Sequence, residues 1–329
     1  MSAMVLEKPG APLFLQNRDL PKPGKDEIRI LIEACGVCRT DLHIIDGELT
    51  QPRLPLIPGH EVVGRVDALG EGVTNFHLGQ RVGVPWLGHS CGHCFYCQTD
   101  RENLCDDPLF TGYTRDGGYA THMIADAAYS FPLPENIAPE YLAPLLCAGL
   151  IGWRTLKLAG DVQTIGIYGF GAAAHIVAQV ALHKSMRVHA FVRPGDTAAV
   201  QFALSLGVTS AQDSHQPSPE LLDAALIFAP VGALIPIALA ATKKGGSVVC
   251  GGIHMSEIPA FDYALLWEER KLLSVANLTR QDANEFLAFA EKYQFDMRIT
   301  PYSLLRANEA TQDLRSGKIQ GAAVLMPQI

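Results

Sequence analysis

Four cysteines constrain this chain more than any other feature. They stand at Cys91, Cys94, Cys97 and Cys105, with two residues between each of the first three and seven before the last. Three thiols at that spacing cannot all pair with one another in disulfides. They can wrap one tetrahedral ion, and a four-thiolate set is a common closed zinc site. Phe95, Tyr96 and Leu104 are too few to give the loop a core of its own, so metal binding would supply its folding free energy. The alternative, a set of reduced surface cysteines, is disfavoured because exposed free thiols are usually avoided. A closed site of this kind is structural and says little about chemistry.

Chemistry is suggested elsewhere. Cys38, in Gly36-Val-Cys-Arg-Thr-Asp-Leu-His43, is followed by His60 and Glu61, and much later by Cys147. One histidine and two cysteines scattered in sequence make a catalytic zinc set with an open fourth position. Asp41 is a natural carboxylate partner for the ligand imidazole. Taken singly, a buried cysteine is more often a small core residue, and a lone histidine is more often structural.

Length and charge bound the domain number and the partner class. A chain of 329 residues can bury two sizeable cores, and a formal net charge of −8 argues against a nucleic-acid footprint. Six of the eight cysteines are assigned to metal, which points to a reducing cytoplasm rather than a disulfide scaffold. The other two, Cys35 and Cys250, lie in apolar strand-like runs and read as core. No secretory signal opens the chain, since Glu7 and Pro9 interrupt its start. The uncharged run from Ala224 to Thr242 approaches membrane-spanning length. Its breakers Pro230, Gly232 and Pro236 favour a strand (Leu222 to Phe228), a turn and a buried helix (Ala233 to Ala241) closed by Lys243-Lys-Gly-Gly246.

The patterning changes along the chain. From about residue 25 to 135, β-branched runs such as Ile28 to Ala34, Val62 to Val66 and Arg81 to Val84 alternate with Gly/Pro turns, which predicts a barrel-like antiparallel domain. From about 149 to 276, strands (Thr164 to Tyr168, Arg187 to Val192, Ser247 to Cys250) alternate with helices (Ala172 to Lys184, Thr197 to Leu206), which predicts a parallel sheet with right-handed crossovers. The tail carries a helix (Asp282 to Tyr293) and a final strand (Ala322 to Met326).

Six motifs in order carry a resemblance. They are Gly36 to His43, Pro58-Gly-His-Glu-Val-Val-Gly64, the four-cysteine loop, Asp116-Gly-Gly-Tyr-Ala120, Cys147-Ala-Gly149 and Gly169-Phe-Gly171. The chain resembles the zinc-dependent alcohol dehydrogenases of the medium-chain dehydrogenase/reductase superfamily, from Gly36 to about Gly321. The resemblance implies an α/β protein: a GroES-like antiparallel β-barrel catalytic domain (1–148, structural-zinc lobe 91–105), a doubly wound Rossmann nicotinamide-binding domain (149–276), and a return to the catalytic domain (277–329). It implies two zinc ions per chain, hydride transfer between an alcohol and NAD(P), a small-molecule alcohol or aldehyde substrate, no nucleic acid or membrane partner, and a homo-oligomer, dimer or tetramer. Cys38, His60 and Cys147 match the catalytic zinc ligands, and Glu61 the carboxylate that can approach the metal. Thr40 and His43 match the proton relay, and Arg39 the residue that meets the cofactor pyrophosphate. An imidazole suits proton exchange near neutrality.

Two readings compete with this one. A polyol or sugar dehydrogenase of the superfamily usually has an acid in place of the second cysteine ligand, which Cys147 argues against. A non-catalytic nicotinamide-binding redox sensor should lack a ligand or the relay, and this chain keeps both.

The glycine motif follows a strand and opens a helix, the context in which it binds a dinucleotide. Gly169 allows the tight turn, Gly171 lets the backbone approach a pyrophosphate, and Ala174 sits where the helix packs on the strand. An NAD site usually ends its second strand with an acid. Here Val192 takes that place and Arg193 follows, which favours NADP over NAD. The competing reading has Arg193 in solvent and Asp196 reaching the ribose. Ile151 and Ala322 depart from the family's Thr and Arg near the cofactor. Trp86 and Trp267 are candidates for the substrate pocket or a contact surface, with a buried core position the competing expectation for Trp267.

Overall fold

The computed structural model describes residues 1–49 and 51–328. The chain divides into two compact units. One comprises Met1–Cys147, Asn277–Glu291 and Met297–Ile329, the other Ala148–Ala276 and Lys292–Asp296.

The first unit is built on a strand of eleven residues, Glu27–Val37, in which Ile28, Ile30, Ile32 and Ala34 are fully buried and alternate with more polar neighbours. That period of two puts one face of the strand into the core. Among the described residues it lies in a seven-stranded sheet ordered Ile299–Ser303, Ala322–Met326, Glu27–Val37, Val62–Leu69, Arg81–Val84, Phe131–Pro132, with His122–Asp126 also pairing on Glu27–Val37. All pairings are antiparallel except Ile299–Ser303 with Ala322–Met326. The final strand therefore joins the sheet of the N-terminal segment, with Val324 opposite Gly36.

The second unit holds a six-stranded sheet, all parallel among the described residues. Its order is Ser210–Asp213, Arg187–Val192, Thr164–Tyr168, Leu222–Ile227, Thr242–Cys250, Lys271–Ser274. Numbered along the chain this is 3-2-1-4-5-6, the doubly wound Rossmann order, whose crevice opens at the carboxyl ends of the first and fourth strands. Ala172–His183 and Thr197–Ser205 are the crossover helices beside the first two strands.

Three sequence expectations need correction. Lys243-Lys-Gly-Gly246 does not close a helix. It lies within Thr242–Cys250 as an irregularity, because Thr242 pairs with Leu222 and the next pair is Ser247 with Ala224. Gly245, at φ +73°, supplies the left-handed turn this excursion needs. The helix expected over Asp282 to Tyr293 runs Arg280–Lys292, and the tail holds a second helix, Ala307–Arg315, that the sequence reading did not place. Thr279 N donates to Asp282 Oδ2 at 2.9 Å and Asp282 N to Thr279 Oγ1 at 3.1 Å, a reciprocal cap. Trp267 is not a core aromatic: it is 60% exposed and meets Tyr263 edge-on. Cys35 and Cys250 are buried as expected, and no single helix among the described residues is long and apolar enough to cross a membrane.

Candidate metal centres and cofactor cradle

Strand pairing brings the first ligand set together. Cys35 lies opposite Val62 in the antiparallel pair, so Cys38 and His60 both sit just beyond the same end of it. Cys38 is the N-cap of the helix Arg39–Asp46. Cys147 follows the turn Ala143–Leu146, which approaches the sheet closely at Gly83, where a Cβ would stand 2.7 Å from Leu146. The donor atoms of Cys38, His60, Glu61 and Cys147 all lie within 4.8 Å of one another.

These residues fit a zinc ion. Cys38 Sγ and Cys147 Sγ are 3.9 Å apart, and two sulfurs at tetrahedral angles about 2.3 Å from one ion stand about 3.8 Å apart. His60 is fully buried, and its Nδ1 donates to Asp41 Oδ1 at 3.0 Å. Its Nε2 is buried with no hydrogen-bond partner. A polar atom left so is costly unless something binds it. Asp41, itself fully buried, also accepts from Cys38 N at 2.8 Å and Gly59 N at 3.2 Å. One carboxylate thus fixes the backbone of Cys38 and the tautomer of His60.

The electrostatics match a buried ionisable cluster. Burial opposes the imidazolium of His60, but the charge and hydrogen bond of Asp41 outweigh it and push its pKa up. Burial, then the Cys38 thiolate, pushes the Glu61 carboxyl well up. A hydrogen bond from Cys147 pulls the Cys38 thiol well below the ordinary range. A divalent cation at the centre draws thiols and carboxyl alike toward their charged forms.

The side chain of Glu61 lies over Gly36, where a Cβ would stand 1.7 Å from Glu61 Oε2. Trp86, buried, sets its ring edge-on to His60 at 5.1 Å and stacks on Phe110 and Tyr113. Thr40 is buried with Oγ1 3.8 Å from Cys38 Sγ, and His43 sits one turn on along the same helix. Arg39 is exposed at that helix's start. His43 Nδ1 pairs with Glu48 Oε2. Sequence reasoning missed Glu48, because it follows the left-handed cap Gly47 and no periodicity signals a contact across such a turn.

The second set is the four cysteines, whose sulfurs also lie within 4.8 Å of one another, Cys91 and Cys97 at 3.9 Å. The loop has no core of its own: Phe95 is 65% exposed. Backbone N–H groups, chiefly that of Asp106, pull Cys94 down to about 6, whereas burial pushes Cys105 up to about 12.

In the second unit, Gly169 ends the central strand at φ +86°, where a Cβ would stand 2.7 Å from Ala229 N. A Cβ on Gly171 would meet nothing within 4 Å, and Gly171 caps Ala172–His183 without a side-chain hydrogen bond. The helix N-terminus is therefore bare and open, which fits an anionic pyrophosphate. Ala174 is fully buried. Val192 is buried at its strand's end and Arg193 is exposed. Asp196 Oδ1 accepts from Ala199 N at 3.0 Å, capping Thr197–Ser205.

Known proteins share this architecture. Residues 24–135 match the family model of the alcohol dehydrogenase GroES-like domain. The chain is 43% identical to the probable alcohol dehydrogenase AdhA of Mycobacterium tuberculosis, over 99% of this chain and 97% of that protein. It is 34% identical to an alcohol dehydrogenase of Geobacillus stearothermophilus, over 99% of each. The solved cinnamyl alcohol dehydrogenase of Sorghum bicolor superposes with a TM-score of 0.89 at 26% identity, over 99% of this chain and 97% of that one. The chain belongs to the zinc-dependent alcohol dehydrogenases of the medium-chain dehydrogenase/reductase superfamily. It is an NAD(P)-dependent oxidoreductase that interconverts alcohols with aldehydes or ketones.

Proposed function

We propose that Cys38, His60 and Cys147 hold the catalytic zinc, that the four cysteines hold a second, structural zinc, and that NADP(H) is preferred over NAD(H). The buried, partnerless Nε2 of His60 among the donor atoms of Cys38, Glu61 and Cys147 carries the first of these assignments. When bound, zinc supplies a Lewis acid to the substrate oxygen and NAD(P) supplies the hydride acceptor or donor.

The chain's own residues do the rest. Asp41 holds His60 as the tautomer whose Nε2 lone pair is free to ligate. Thr40 relays the proton of the substrate hydroxyl during oxidation, passing its own proton on toward His43 as it accepts, and the transfer runs in reverse during reduction. His43 exchanges that proton with solvent and is steadied by Glu48. Trp86 closes the side of the site next to His60. Glu61, kept close by the missing side chain of Gly36, is a carboxylate that can replace an exchanging ligand. The unit formed mainly by Ala148–Ala276 is the nicotinamide-binding domain, with Gly169, Gly171 and Ala174 cradling the pyrophosphate and Arg193 facing a 2′-phosphate. Arg39 contributes a cation to the pyrophosphate, and the enzyme is a homo-oligomer; both follow from the family likeness.

A panel of primary, secondary and aromatic alcohols with the matching aldehydes tests this, run with both cofactors and with zinc measured on the same sample. Turnover that follows zinc content supports the reading. Turnover undiminished after complete zinc removal overturns it.

A further inference from the structure

The four sulfurs of the Cys91–Cys105 loop do not receive their hydrogen bonds in the same way. Cys91 Sγ accepts from Cys94 N at 3.4 Å, and Cys105 Sγ from Cys91 N at 3.3 Å and Asp107 N at 3.4 Å. Cys94 is reached by the backbone N–H groups of Asp106 and Cys97. Among the described residues the oxygen or nitrogen partner of Cys97 Sγ is a side chain: Ser90 Oγ at 3.4 Å, which accepts from the thiol when no metal is bound.

A zinc-bound sulfur is a thiolate and only accepts, so the Ser90 proton points to it. Ser90 Oγ then has lone pairs to offer, and its other neighbour is the hydroxyl of Tyr129. Tyr129 therefore donates to Ser90, and Ser90 to Cys97. Both residues are buried, at 7% and 4% exposure, so water does not compete. The chain is held from both ends. Asp126 caps the short turn Ala127–Tyr129 through Ala128 N at 2.8 Å and takes His89 Nδ1 at 2.6 Å, next to Ser90. Arg280 lies 5.2 Å above the Tyr129 ring and is fixed by Glu102, a residue of the cysteine loop, through N at 2.9 Å and Nε at 3.2 Å.

We propose that Ser90 and Tyr129 are positioning residues for the four-cysteine site: the Ser90 hydroxyl, oriented by that of Tyr129, neutralises the Cys97 thiolate and keeps it on the metal. The proposal rests on the assignment of a zinc ion to that set. Four thiolates around one dication carry excess negative charge, and each donor lost leaves its sulfur more nucleophilic and more easily taken from the metal. Cys97 is singled out because its donor can be deleted by mutation without touching the backbone.

The test uses full-length, zinc-loaded Ser90→Ala, Ser90→Thr and Tyr129→Phe. Iodoacetamide alkylation is followed at each cysteine by peptide mass spectrometry, with zinc content measured in parallel. Ser90→Ala should raise the Cys97 rate about tenfold. Tyr129→Phe, which keeps the ring under Arg280, should raise it by less. Ser90→Thr should restore it, and Cys94, with backbone donors, should keep its rate throughout. Should Ser90→Ala not fold, Tyr129→Phe still reads the same ratio of Cys97 to Cys94. An unchanged Cys97 rate at full zinc occupancy overturns the proposal alone, as does an equal rise at all four cysteines. A metal-free four-cysteine set in the unmodified protein overturns the zinc assignment and the proposal with it.

Discussion

Glu48 N donates to the carbonyl of His43 at 2.8 Å while the Glu48 carboxylate takes His43 Nδ1, so one residue both closes the helix Arg39–Asp46 and fixes the ring at its end. An imidazole fixed in this way suits proton exchange near neutrality. Thr40→Val should slow alcohol oxidation most, since it deletes the hydroxyl next to the substrate. His43→Gln should slow it chiefly below neutral pH, where solvent base is scarce. Glu48→Ala should follow the same profile with a smaller loss. General acid–base groups are worth ~10²- to 10⁴-fold, and outer members of a relay should fall at or below about tenfold. The measurement is kcat against pH for the three variants. A wild-type profile in Glu48→Ala would reduce Glu48 to a helix cap.

The two metal sites should separate by mutation. Cys94→Ser removes a ligand from a loop without a core, so it should lower thermal stability and expose residues 91–105 to protease. Cys38→Ser removes a ligand from a site set in a packed sheet, so it should abolish turnover and leave the fold largely intact. Elemental analysis should find two zinc ions per chain in the unmodified protein and close to one in each variant. One zinc or fewer in carefully prepared unmodified protein would contradict the pair of assignments.

Gly36→Ala is a sharper probe of Glu61 than replacing Glu61 itself. Its new methyl would stand 1.7 Å from Glu61 Oε2 and 2.9 Å from Glu61 Cβ. The carboxylate must move, at a cost of about 1–3 kcal/mol for an overpacked site. Faster zinc loss to a chelator, with the four-cysteine site still loaded, is the expected result. An unchanged exchange rate would leave Glu61 no part in metal exchange.

The two clusters of candidate donor residues and both sheets were legible because each depends largely on local pattern. The spacing of Cys91, Cys94 and Cys97 needs no tertiary information, and the alternation in Ile28 to Ala34 reports one buried face. What could not be read depends on close approach between distant segments. Gly36 looks like any strand glycine until Glu61 lies across it. Ser90 and Tyr129 are 39 residues apart and carry no motif, yet together they serve Cys97. Lys243 to Gly246 carries the composition of a loop, and only the pairing of Thr242 with Leu222 shows that it stays in the strand.

Asp223 gives the second unit a pH-dependent clamp. Burial works against its carboxylate, but Lys243 Nζ at 2.6 Å and the N–H groups of Gln163 at 3.0 Å and Thr164 at 2.8 Å outweigh that and hold its pKa below the ordinary aspartate value. A depressed folded pKa means stability that is present above the unfolded value, about 3.9, and is lost as pH falls through the folded one. Asp223→Asn should therefore lower the urea midpoint at pH 7, by the equivalent of about 1 kcal/mol. The gap from wild type should shrink at pH 4 and below. A gap that is constant with pH would mean that the charge of Asp223 plays no part.

Cofactor choice turns on what is left to meet the ribose at the end of Arg187–Val192. Val192 offers no acceptor, and Arg193 is exposed. The carboxylate that could have replaced the missing acid is Asp196, and its Oδ1 is engaged with Ala199 N at 3.0 Å. Turning it to a ribose would give up an N-cap worth about 1 kcal/mol. NADP(H) should therefore be used more efficiently than NAD(H). A charge-assisted pair with the 2′-phosphate is worth ~1.5–3 kcal/mol, or about ten- to a hundredfold in kcat/KM. Arg193→Ala should erase most of that preference by weakening NADP(H) while NAD(H) changes little. Val192→Asp should turn it toward NAD(H), by repelling the phosphate and accepting from the hydroxyl. Asp196→Ala should cost stability and leave the preference where it was. The deciding measurement is kcat/KM for both cofactors at one saturating alcohol concentration. A preference for NAD(H) in the unmodified enzyme, abolished by Asp196→Ala, would transfer the role from Arg193 to Asp196.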